Sequence, residues 1–409
     1  MSHFKYFREK LFIENTSVLH IAKKNKTPFY LYSEKQIKEN YLNFVKTFKD
    51  INPLICFAAK ANTNITILKM LGRLGSGADV VSGGELLKAL KAGIKPNKIV
   101  FSGVGKTEEE LKLAIRKKIL LINVESESEA VLINKIGKKI NRIISIGFRL
   151  NPNVDAKTHK KISTGKAENK FGVSIKNFSA FYKGIKKYKN IKIDALSVHI
   201  GSQILSDAPY KKVLGILLKV IRDLNIKLKY MDLGGGFGIR YGKKDKLINL
   251  NNYARLVYNF KKKLGCSIIF EPGRSLVGNT GILVSKIQYI KKGLNKNFII
   301  IDAGMNDFMR IALYDASHNI IPIVKTNKKN QAPIEFVGPI CETSCKFAKY
   351  KNYQKIEEGD FVAITDVGAY GSSLSSNYNT KPLIAEILAG KNNFKIIKKK
   401  QDLLKLINS

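Results

Sequence analysis

Apolar positions between residues 50 and 270 recur in short runs that alternate with stretches of helical character. The strand-like runs lie at 54–59, 78–82, 98–102, 119–124, 144–150, 193–199, 228–233 and 267–270. The helical stretches or loops between them include 84–92, 107–117, 126–138, 175–188, 208–224 and 251–263. Because alternating strands and helices are joined by right-handed parallel crossovers, eight such units predict a (β/α)8 TIM barrel. A doubly wound open sheet is the alternative arrangement of the same units.

The pattern changes after residue 280, where convincing amphipathic helices become scarce. Strand-like runs lie at 281–291, 297–302, 333–337, 360–366 and 383–388, separated by clusters of Gly, Asn and Lys. This texture predicts a second, mainly antiparallel β domain. A single strand at 27–32 needs a partner sheet, so we expect the N-terminal segment to join that domain. The predicted domains are therefore 36–280 for the barrel, and 1–35 plus 281–409 for the β domain.

Composition is that of a globular protein with an excess of lysine. The 409 residues are 44% hydrophobic, which is enough for two domains and a large core. The net charge of +40 would allow a nucleic-acid-binding protein, whose retention of DNA would fall steeply with salt. However, the lysines are spread along the chain and form no dense basic arm. We therefore expect a lysine-rich surface and no nucleic-acid partner.

The cysteines and the apolar runs indicate a reduced, cytoplasmic protein. Four cysteines are too few for a disulfide scaffold. Cys341 and Cys345 form a C-x3-C pair without a second pair nearby, so no metal site is expected. The N-terminus lacks the apolar core of a signal peptide, and no apolar run approaches 18 residues, so neither export nor a membrane span is expected.

Unusual residues follow four of the predicted barrel strands. These are Lys60, the segment His199–Gln203, the glycine-rich run Gly234–Gly238 and the segment Glu271–Arg274. Active sites of TIM barrels lie at the carboxyl ends of the strands, so these segments are expected on one rim. An isolated buried ammonium is costly, which makes a lysine at a strand end a candidate for chemistry.

The residue types on this rim suggest pyridoxal phosphate (PLP). The amine of Lys60 can form a Schiff base with an aldehyde, and the glycine run lets backbone N–H groups approach a phosphate. Glu271 could hold the pyridine nitrogen protonated, and His199 could stack on the ring. The alternatives are a hydrogen-bonded core histidine at position 199 and an ion pair of Glu271, for example with Arg149.

The predicted β domain contains three polar clusters with more functional groups than turns need. They lie at 302–307, continuing to Arg310 and Tyr314, at 338–343 and at 366–371. Ordinary turn chemistry is the alternative explanation for each.

Together these motifs resemble diaminopimelate decarboxylase, a family in the group of PLP enzymes built like alanine racemase. The resemblance covers residues 27–390. The motifs that carry it are Ala59-Lys60-Ala61-Asn62, His199-Ile200-Gly201-Ser202-Gln203, Gly234-Gly235-Gly236, Glu271-Pro272-Gly273-Arg274, Cys341-Glu342 and Gly368-Ala369-Tyr370.

The resemblance implies a role for each matching residue. Lys60 would be the Schiff-base lysine, His199 the ring-stacking residue and Cys341 the proton donor, which would reach in from the second subunit of a homodimer. The implied cofactor-binding residues are Lys60, His199, Ser202, Gly235, Gly236, Glu271, Pro272, Gly273, Arg274 and Tyr370. The implied substrate-binding residues are Arg274, Arg310, Tyr314, Glu342 and Tyr370, with Glu342 also contributed by the second subunit.

The implied reaction is decarboxylation of meso-2,6-diaminopimelate to L-lysine and CO2, the last step of lysine biosynthesis. Decarboxylation of ornithine, arginine or carboxynorspermidine on the same fold is the alternative, although ornithine and arginine offer no distal carboxylate to the arginine cluster. One position departs from the family pattern, because Cys345 stands where an aspartate often follows the Cys-Glu pair. That departure bears on the predicted subunit contact.

Overall fold

The computed structural model describes residues 3–156, 158–242 and 244–408, with the side chain of residue 160 left undescribed. The chain divides into two compact units. The β unit comprises Met1–Asn40, Arg240–Asp245 and Leu276–Ser409, and the barrel unit comprises Tyr41–Ile239 and Lys246–Ser275. The domain limits expected from the sequence, 36–280 and 1–35 with 281–409, stay a prediction.

The N-terminal segment opens with a small antiparallel sheet. Its elements and those that follow are β1 (Phe4–Phe7), β2 (Lys10–Ile13), β3 (Thr16–Ser17), α1 (Val18–Lys24), β4 (Phe29–Ser33) and α2 (Glu34–Thr47). The order in the small sheet is β1-β2-β3. All five residues of β4 are buried, as expected for a strand inside a sheet.

The barrel unit has eight main parallel strands. Its elements are β5 (Leu54–Ala58), α3 (Ile65–Arg73), β6 (Gly77–Val80), α4 (Gly83–Lys91), β7 (Ile99–Phe101), α5 (Glu108–Arg116), β8 (Leu121–Val124), α6 (Glu127–Lys139), β9 (Ile144–Asn151), β10 (Val173–Ser174), α7 (Ile175–Ile185), β11 (Ile191–Val198), α8 (Ala208–Asp223), β12 (Tyr230–Asp232), α9 (Leu250–Leu264) and β13 (Ser267–Phe270). The order is β9-β11-β12-β13-β5-β6-β7-β8, and β8 pairs again with β9. The sheet is therefore closed, which confirms the predicted TIM barrel and makes the open doubly wound sheet wrong.

Polar caps fix where the barrel helices begin. The side chains of Asn64, Ser82 and Ser126 accept backbone N–H groups in the first turns of α3, α4 and α6. Thr107 and Glu110 form a reciprocal capping box at the start of α5. Such caps satisfy N–H groups that lack partners within the helix, and they hold the short connections after the strands in place. Among residues 3–156, 158–242 and 244–408, no helix is both long and apolar enough to cross a membrane.

The barrel unit is held together by apolar side chains inside and outside the strands. The interior holds a cluster of Cys56, Val100, Leu121, Ala195 and Ile269, which come from five different strands. On the outer side of the barrel, large aromatic rings pack between the helices and the sheet. The aromatic rings include Phe48, Phe237, Tyr253 and Phe270, and the ring centroids of Phe48 and Phe270 are 4.6 Å apart. Burial of this apolar area is the main stabilising contribution to a barrel of this size.

The β unit is mainly antiparallel, as predicted. After the barrel its elements are α10 (Arg274–Val277, which begins in the barrel unit), β14 (Gly281–Lys291), β15 (Asn297–Ile301), α11 (Arg310–Tyr314), β16 (Ile320–Pro322), β17 (Ile334–Val337), β18 (Lys346–Tyr350), β19 (Phe361–Ile364), β20 (Ala385–Ala389), β21 (Phe394–Lys398) and α12 (Leu403–Ile407). The sheet order is β18-β17-β15-β14-β4-β20-β21, with β19 between β14 and β16. Among the strand pairs of this unit that the structure describes, only β15/β17 and β4/β20 are parallel.

A matched pair of leucines on α4 tests the packing of the barrel. Leu86 is fully buried, whereas the exposed fraction of its neighbour Leu87 is 51%. We expect Leu86→Ala to lower the free energy of unfolding by about 2–5 kcal/mol, because it removes buried methyl groups and leaves a cavity. Leu87→Ala should change it by less than about 0.5 kcal/mol. Urea unfolding of both variants measures the difference, and equal losses would contradict the orientation of α4.

Candidate active site

A cavity of about 350 Å³ lies in the barrel unit at the carboxyl ends of the strands. It is lined by Lys60, Val81, Ser102, Gly103, Val104, Arg149, Thr164, Phe171, Ser197, His199 and Glu271. Three of these, Lys60, His199 and Glu271, are residues on which the predicted chemistry depends. They follow β5, β11 and β13, so closure of the barrel brings together segments that are far apart in sequence.

Lys60 is held by a buried carboxylate. Its Nζ atom is 2.6 Å from Oδ2 of Asp79, at the end of β6. The side chain of Asp79 is fully buried, while about a third of the Lys60 side chain, 34%, is exposed. Asp79 Oδ1 is also buried and has no hydrogen-bond partner within the described part of the chain. The pair therefore offers a positioned amine beside a buried acceptor atom that can accept one more hydrogen bond.

Glu271 belongs to a buried polar network. Ser102 Oγ donates to Glu271 Oε1 at 3.3 Å, and Asn123 Nδ2 lies 3.1 Å from Ser102 Oγ and 2.8 Å from Asp232 Oδ2. Asp232 Oδ1 accepts the backbone N–H of Gly234 at 2.9 Å. Burial, together with the negative charges of Asp232 and Asp79, raises the pKa of Glu271 well above its usual range. Burial also raises the pKa of Asp232, so this pair of carboxyl groups favours a protonated form in this environment.

Arg149 pairs with a different carboxylate. Its Nη1 atom donates to Glu125 Oε1 at 2.9 Å, and its guanidinium carbon lies 4.7 Å from the centre of the Phe171 ring. Glu125 also accepts the backbone N–H groups of Gly103 and Gly172. The structure thus contains the Arg149–Glu125 ion pair in place of the Arg149–Glu271 pair that the sequence allowed.

His199 is a hydrogen-bonded histidine that also lines the cavity. Its Nδ1 atom accepts the backbone N–H of Gly235 at 3.3 Å. Burial, with the positive charges of Arg149 and Lys60, lowers the pKa of His199 well below its usual range. The ring is therefore neutral, with its hydrogen on Nε2.

Glycines allow the loops after β12 and β13 to pack against the rest of the rim. A Cβ atom on Gly235 would lie 2.1 Å from the carbonyl oxygen of Glu271, and one on Gly273 would lie 3.1 Å from the Cβ atoms of Ala58 and Ala61. Gly236 has φ of +95°, a left-handed conformation that favours glycine. These close approaches place the glycine loops beside Glu271 and beside the segment that carries Lys60.

Two further residues named from the sequence contact each other in the barrel unit. Ser202 Oγ accepts hydrogen bonds from Arg274 Nε at 3.3 Å and from Nη2 at 2.9 Å. Arg274 is buried, and Ser202 is half-buried. The carbonyl oxygen of Pro272 accepts the backbone N–H of Ala58 at 3.1 Å, which ties this loop to β5.

The remaining predicted site residues belong to the β unit. Arg310 is buried, and Tyr314 and Tyr370 are half-buried, the latter with a left-handed φ of 55°. Cys341 and Glu342 are exposed, and Glu342 Oε1 accepts the hydroxyl of Tyr378 at 2.7 Å.

Cys345, the departure from the family pattern, lies inside the β unit. Its Sγ atom accepts the backbone N–H of Met305 at 3.3 Å, and burial raises the pKa of its thiol. It is therefore a buried, neutral thiol, which differs in its chemistry from a charged aspartate.

Comparison with known proteins identifies the family. A model described as "pyridoxal-dependent decarboxylase, pyridoxal binding domain" matches residues 34–278. Diaminopimelate decarboxylase of Aquifex aeolicus is 42% identical over 403 residues, covering 98% of this chain and 95% of the relative. The chain belongs to the diaminopimelate decarboxylase family.

Solved structures of family members show the same architecture. The Helicobacter pylori diaminopimelate decarboxylase complexed with L-lysine has a TM-score of 0.90 and 43% identity, covering 95% of this chain and 98% of that one. The M. jannaschii diaminopimelate decarboxylase in complex with L-lysine has a TM-score of 0.93 and 35% identity, covering 99% of this chain and 96% of that one.

The cofactor of this diaminopimelate decarboxylase family member is PLP, and the barrel cavity fits it. The cavity contains an amine, Lys60, that can bond to an aldehyde, and an acid, Glu271, that can protonate a pyridine nitrogen. Asp79 Oδ1, a buried acceptor without a partner among the described residues, is a further polar atom next to the amine. Gly235 and Gly236 leave no room for a Cβ atom, which would lie 2.1 Å and 2.4 Å from the carbonyl oxygens of Glu271 and Gly201, and the backbone of such a glycine loop can bind a phosphate.

Four buried residues of this family member could not be named from the sequence. Asp79, Ser102 and Asn123 follow or lie within apolar barrel strands, and His318 lies in the β unit. The available signal was a single polar residue at the end of, or inside, an apolar run, for example Asn123 in Leu121–Val124. Such a residue is buried only with a partner, but the sequence does not name the partner.

The raised pKa of Glu271 predicts how stability depends on pH in the cofactor-free protein. Above the unfolded-state pKa of about 4.3, the folded state keeps a proton that the unfolded chain loses. This group therefore lowers the free energy of unfolding as pH rises from about 4.3. We expect Glu271→Gln to reduce that loss between pH 5 and pH 7, as measured by urea unfolding at each pH.

The matched control for Glu271→Gln is Glu168→Gln, because Glu168 is exposed. The control should follow the wild-type curve. If Glu271→Gln followed it as well, the folded state would not hold the extra proton at this site.

Proposed function

We propose that the chain decarboxylates meso-2,6-diaminopimelate, releasing CO2 and L-lysine in the last step of lysine biosynthesis. The observation that carries the proposal is the barrel cavity shared by Lys60, His199 and Glu271. The chain is 42% identical to a diaminopimelate decarboxylase across 98% of its own length. Solved relatives were complexed with L-lysine, the product of the proposed reaction.

The barrel rim supplies the residues that would hold the cofactor. Lys60 would hold its aldehyde, and Ser202, Gly235, Gly236, Pro272, Gly273 and Arg274 would surround its phosphate, with Tyr370 as a further contact. Ser202 accepts from Arg274, so its own hydroxyl hydrogen can be donated to an anion. When bound, the cofactor supplies an electron sink for the carbanion that loss of CO2 creates.

Two residues would place protons, and a third would cover the ring of the cofactor. Glu271 has a raised pKa, so it can hold a proton in this site, and as a carboxylate it would pair with a protonated pyridine nitrogen. His199 is neutral and half-buried, so it can cover a flat ring without adding a charge. Cys341 would deliver the proton that replaces the lost carboxylate.

The distal end of the substrate carries one carboxylate and one ammonium. Arg274, Arg310 and Tyr314 would bind the carboxylate, since guanidinium groups match carboxylates by paired hydrogen bonds. Glu342 would meet the ammonium, and Tyr370 would contact the substrate. Losing one such contact should cost about 1–3 kcal/mol in binding.

Lys60→Ala tests the proposed role of the amine. It should abolish the absorbance band of the covalently linked cofactor and nearly all turnover, because no other amine is assigned to the aldehyde. Lys69→Ala, which changes an exposed lysine on α3, should leave both unchanged. Absorbance spectra and CO2 release measure the outcome. A Lys60→Ala protein that retained the band would refute the assignment.

We also propose a homodimer in which Cys341 and Glu342 complete the site of the partner subunit. Both side chains are exposed within a single chain, which leaves them accessible to a second copy.

The cysteines form no disulfide among the described residues, which supports a reducing, cytoplasmic location.

Mixing two inactive variants tests the shared site. The Lys60→Ala and Cys341→Ala dimers are mixed, dissociated and allowed to reassociate, which gives mixed dimers. If the cysteine acts across the interface, each mixed dimer contains one intact site. Statistical mixing should then restore about a quarter of wild-type activity. Recovery of none, with mixed dimers verified by differently tagged chains, would place Cys341 in its own subunit's site.

A further inference from the structure

Arg310 is fixed by two side chains that the assigned site does not include. Its Nη1 atom lies 2.8 Å from the hydroxyl oxygen of Tyr241 and 2.8 Å from Nε2 of His318. Each Nη atom of a guanidinium carries two hydrogens. Both hydrogens of Nη1 are therefore committed, which fixes the rotation of the guanidinium plane.

The tautomer of His318 follows from its two neighbours. Its Nδ1 atom is 2.8 Å from the carbonyl oxygen of Thr365, which can only accept, so Nδ1 carries the hydrogen. Nε2 then presents a lone pair, and arginine can only donate. The geometry is thus consistent with a neutral His318 that acts as a hydrogen-bond acceptor for Arg310.

The surroundings leave little freedom to these side chains. His318 and Arg310 have exposed fractions of only 4% and 5%. The ring centroid of His318 lies 4.7 Å from that of Phe308 and 5.0 Å from that of Tyr241, and both contacts are edge-to-face. The guanidinium carbon of Arg310 lies 4.7 Å from the centre of the Tyr241 ring, a cation–π contact.

We propose that His318 is a positioning residue for Arg310, and that with Tyr241 it gives the site its preference for ligands with a distal carboxylate. A planar guanidinium binds a carboxylate well only in one orientation, and the acceptor at Nε2 sets that orientation. The inference rests on the proposed function, because it takes Arg310 as the residue that binds the distal carboxylate.

Two conservative substitutions separate the hydrogen bonds of His318. Asparagine can keep the donor to Thr365 but cannot place an acceptor at the position of Nε2, whereas the longer glutamine can supply that acceptor. The probes are L-lysine and cadaverine (1,5-diaminopentane), which differ only in the carboxylate. Inhibition of the PLP-loaded enzyme by each probe is measured for the wild type, His318→Asn and His318→Gln.

We expect His318→Asn to weaken inhibition by L-lysine about tenfold, the effect of one misplaced charged hydrogen bond, and to leave inhibition by cadaverine within about twofold. His318→Gln should restore most of the lysine affinity. In an Arg310→Met background, His318→Asn should not weaken inhibition by L-lysine any further. A residue that acts through another residue loses its effect when that other residue is removed.

Other outcomes overturn the proposal. Unchanged lysine inhibition in His318→Asn, or equal weakening of both probes, would show that His318 does not act on the carboxylate. If Arg310→Met itself left lysine inhibition unchanged, the assigned role of Arg310 would fail. If Arg310→Met weakened inhibition by L-lysine but His318→Asn did not, only the proposed role of His318 would be refuted. If His318→Asn does not fold, Tyr241→Phe is the alternative variant, because it removes the other hydrogen-bond acceptor of Arg310. The proposal then requires that Tyr241→Phe weaken inhibition by L-lysine more than inhibition by cadaverine.

Discussion

Closure of the barrel is the constraint on which the site depends. Strands β5 and β13 are neighbours only because the sheet closes, and their pairing puts the segments that carry Lys60 and Glu271 side by side. β6 then adds Asp79 on the other side of β5, since Ala58 is paired with Asp79 in the parallel register. A lysine that would be costly to bury alone is thereby placed 2.6 Å from a carboxylate.

The same closure crowds carboxyl groups together, and this has a chemical consequence. Asp79, Asp232 and Glu271 lie at the carboxyl end of the barrel, where Lys60 pairs with Asp79. Like charges in a buried space favour the protonated form of one member, and the pKa of Glu271 is raised accordingly. The fold therefore places an acid whose protonated form is favoured in the same cavity as an amine, and an aldehyde-bearing pyridine cofactor requires both groups.

The elements with strong apolar patterns were predictable from the sequence, whereas the short or charged elements were not. All eight main barrel strands and the long strand β14 correspond to predicted runs. By contrast, β18 and β21 lie at the edges of the sheet and mix lysine with apolar residues without a regular alternation, so their composition resembled exposed loops. Likewise, Lys60 and Glu271 could be named because they follow apolar runs. Asp79 and His318 could not be, because their importance comes from register and from contacts such as Arg310–His318.

The central claim is that Lys60, one among 62 lysines, is the amine that bonds to the cofactor. Borohydride reduction of the purified enzyme, followed by proteolysis and mass spectrometry of the peptides, tests it most directly. The account predicts that the reduced cofactor is found on Lys60 and on no other residue. Its attachment to a different lysine, or the absence of any modified peptide from a protein that carries PLP, would contradict the account.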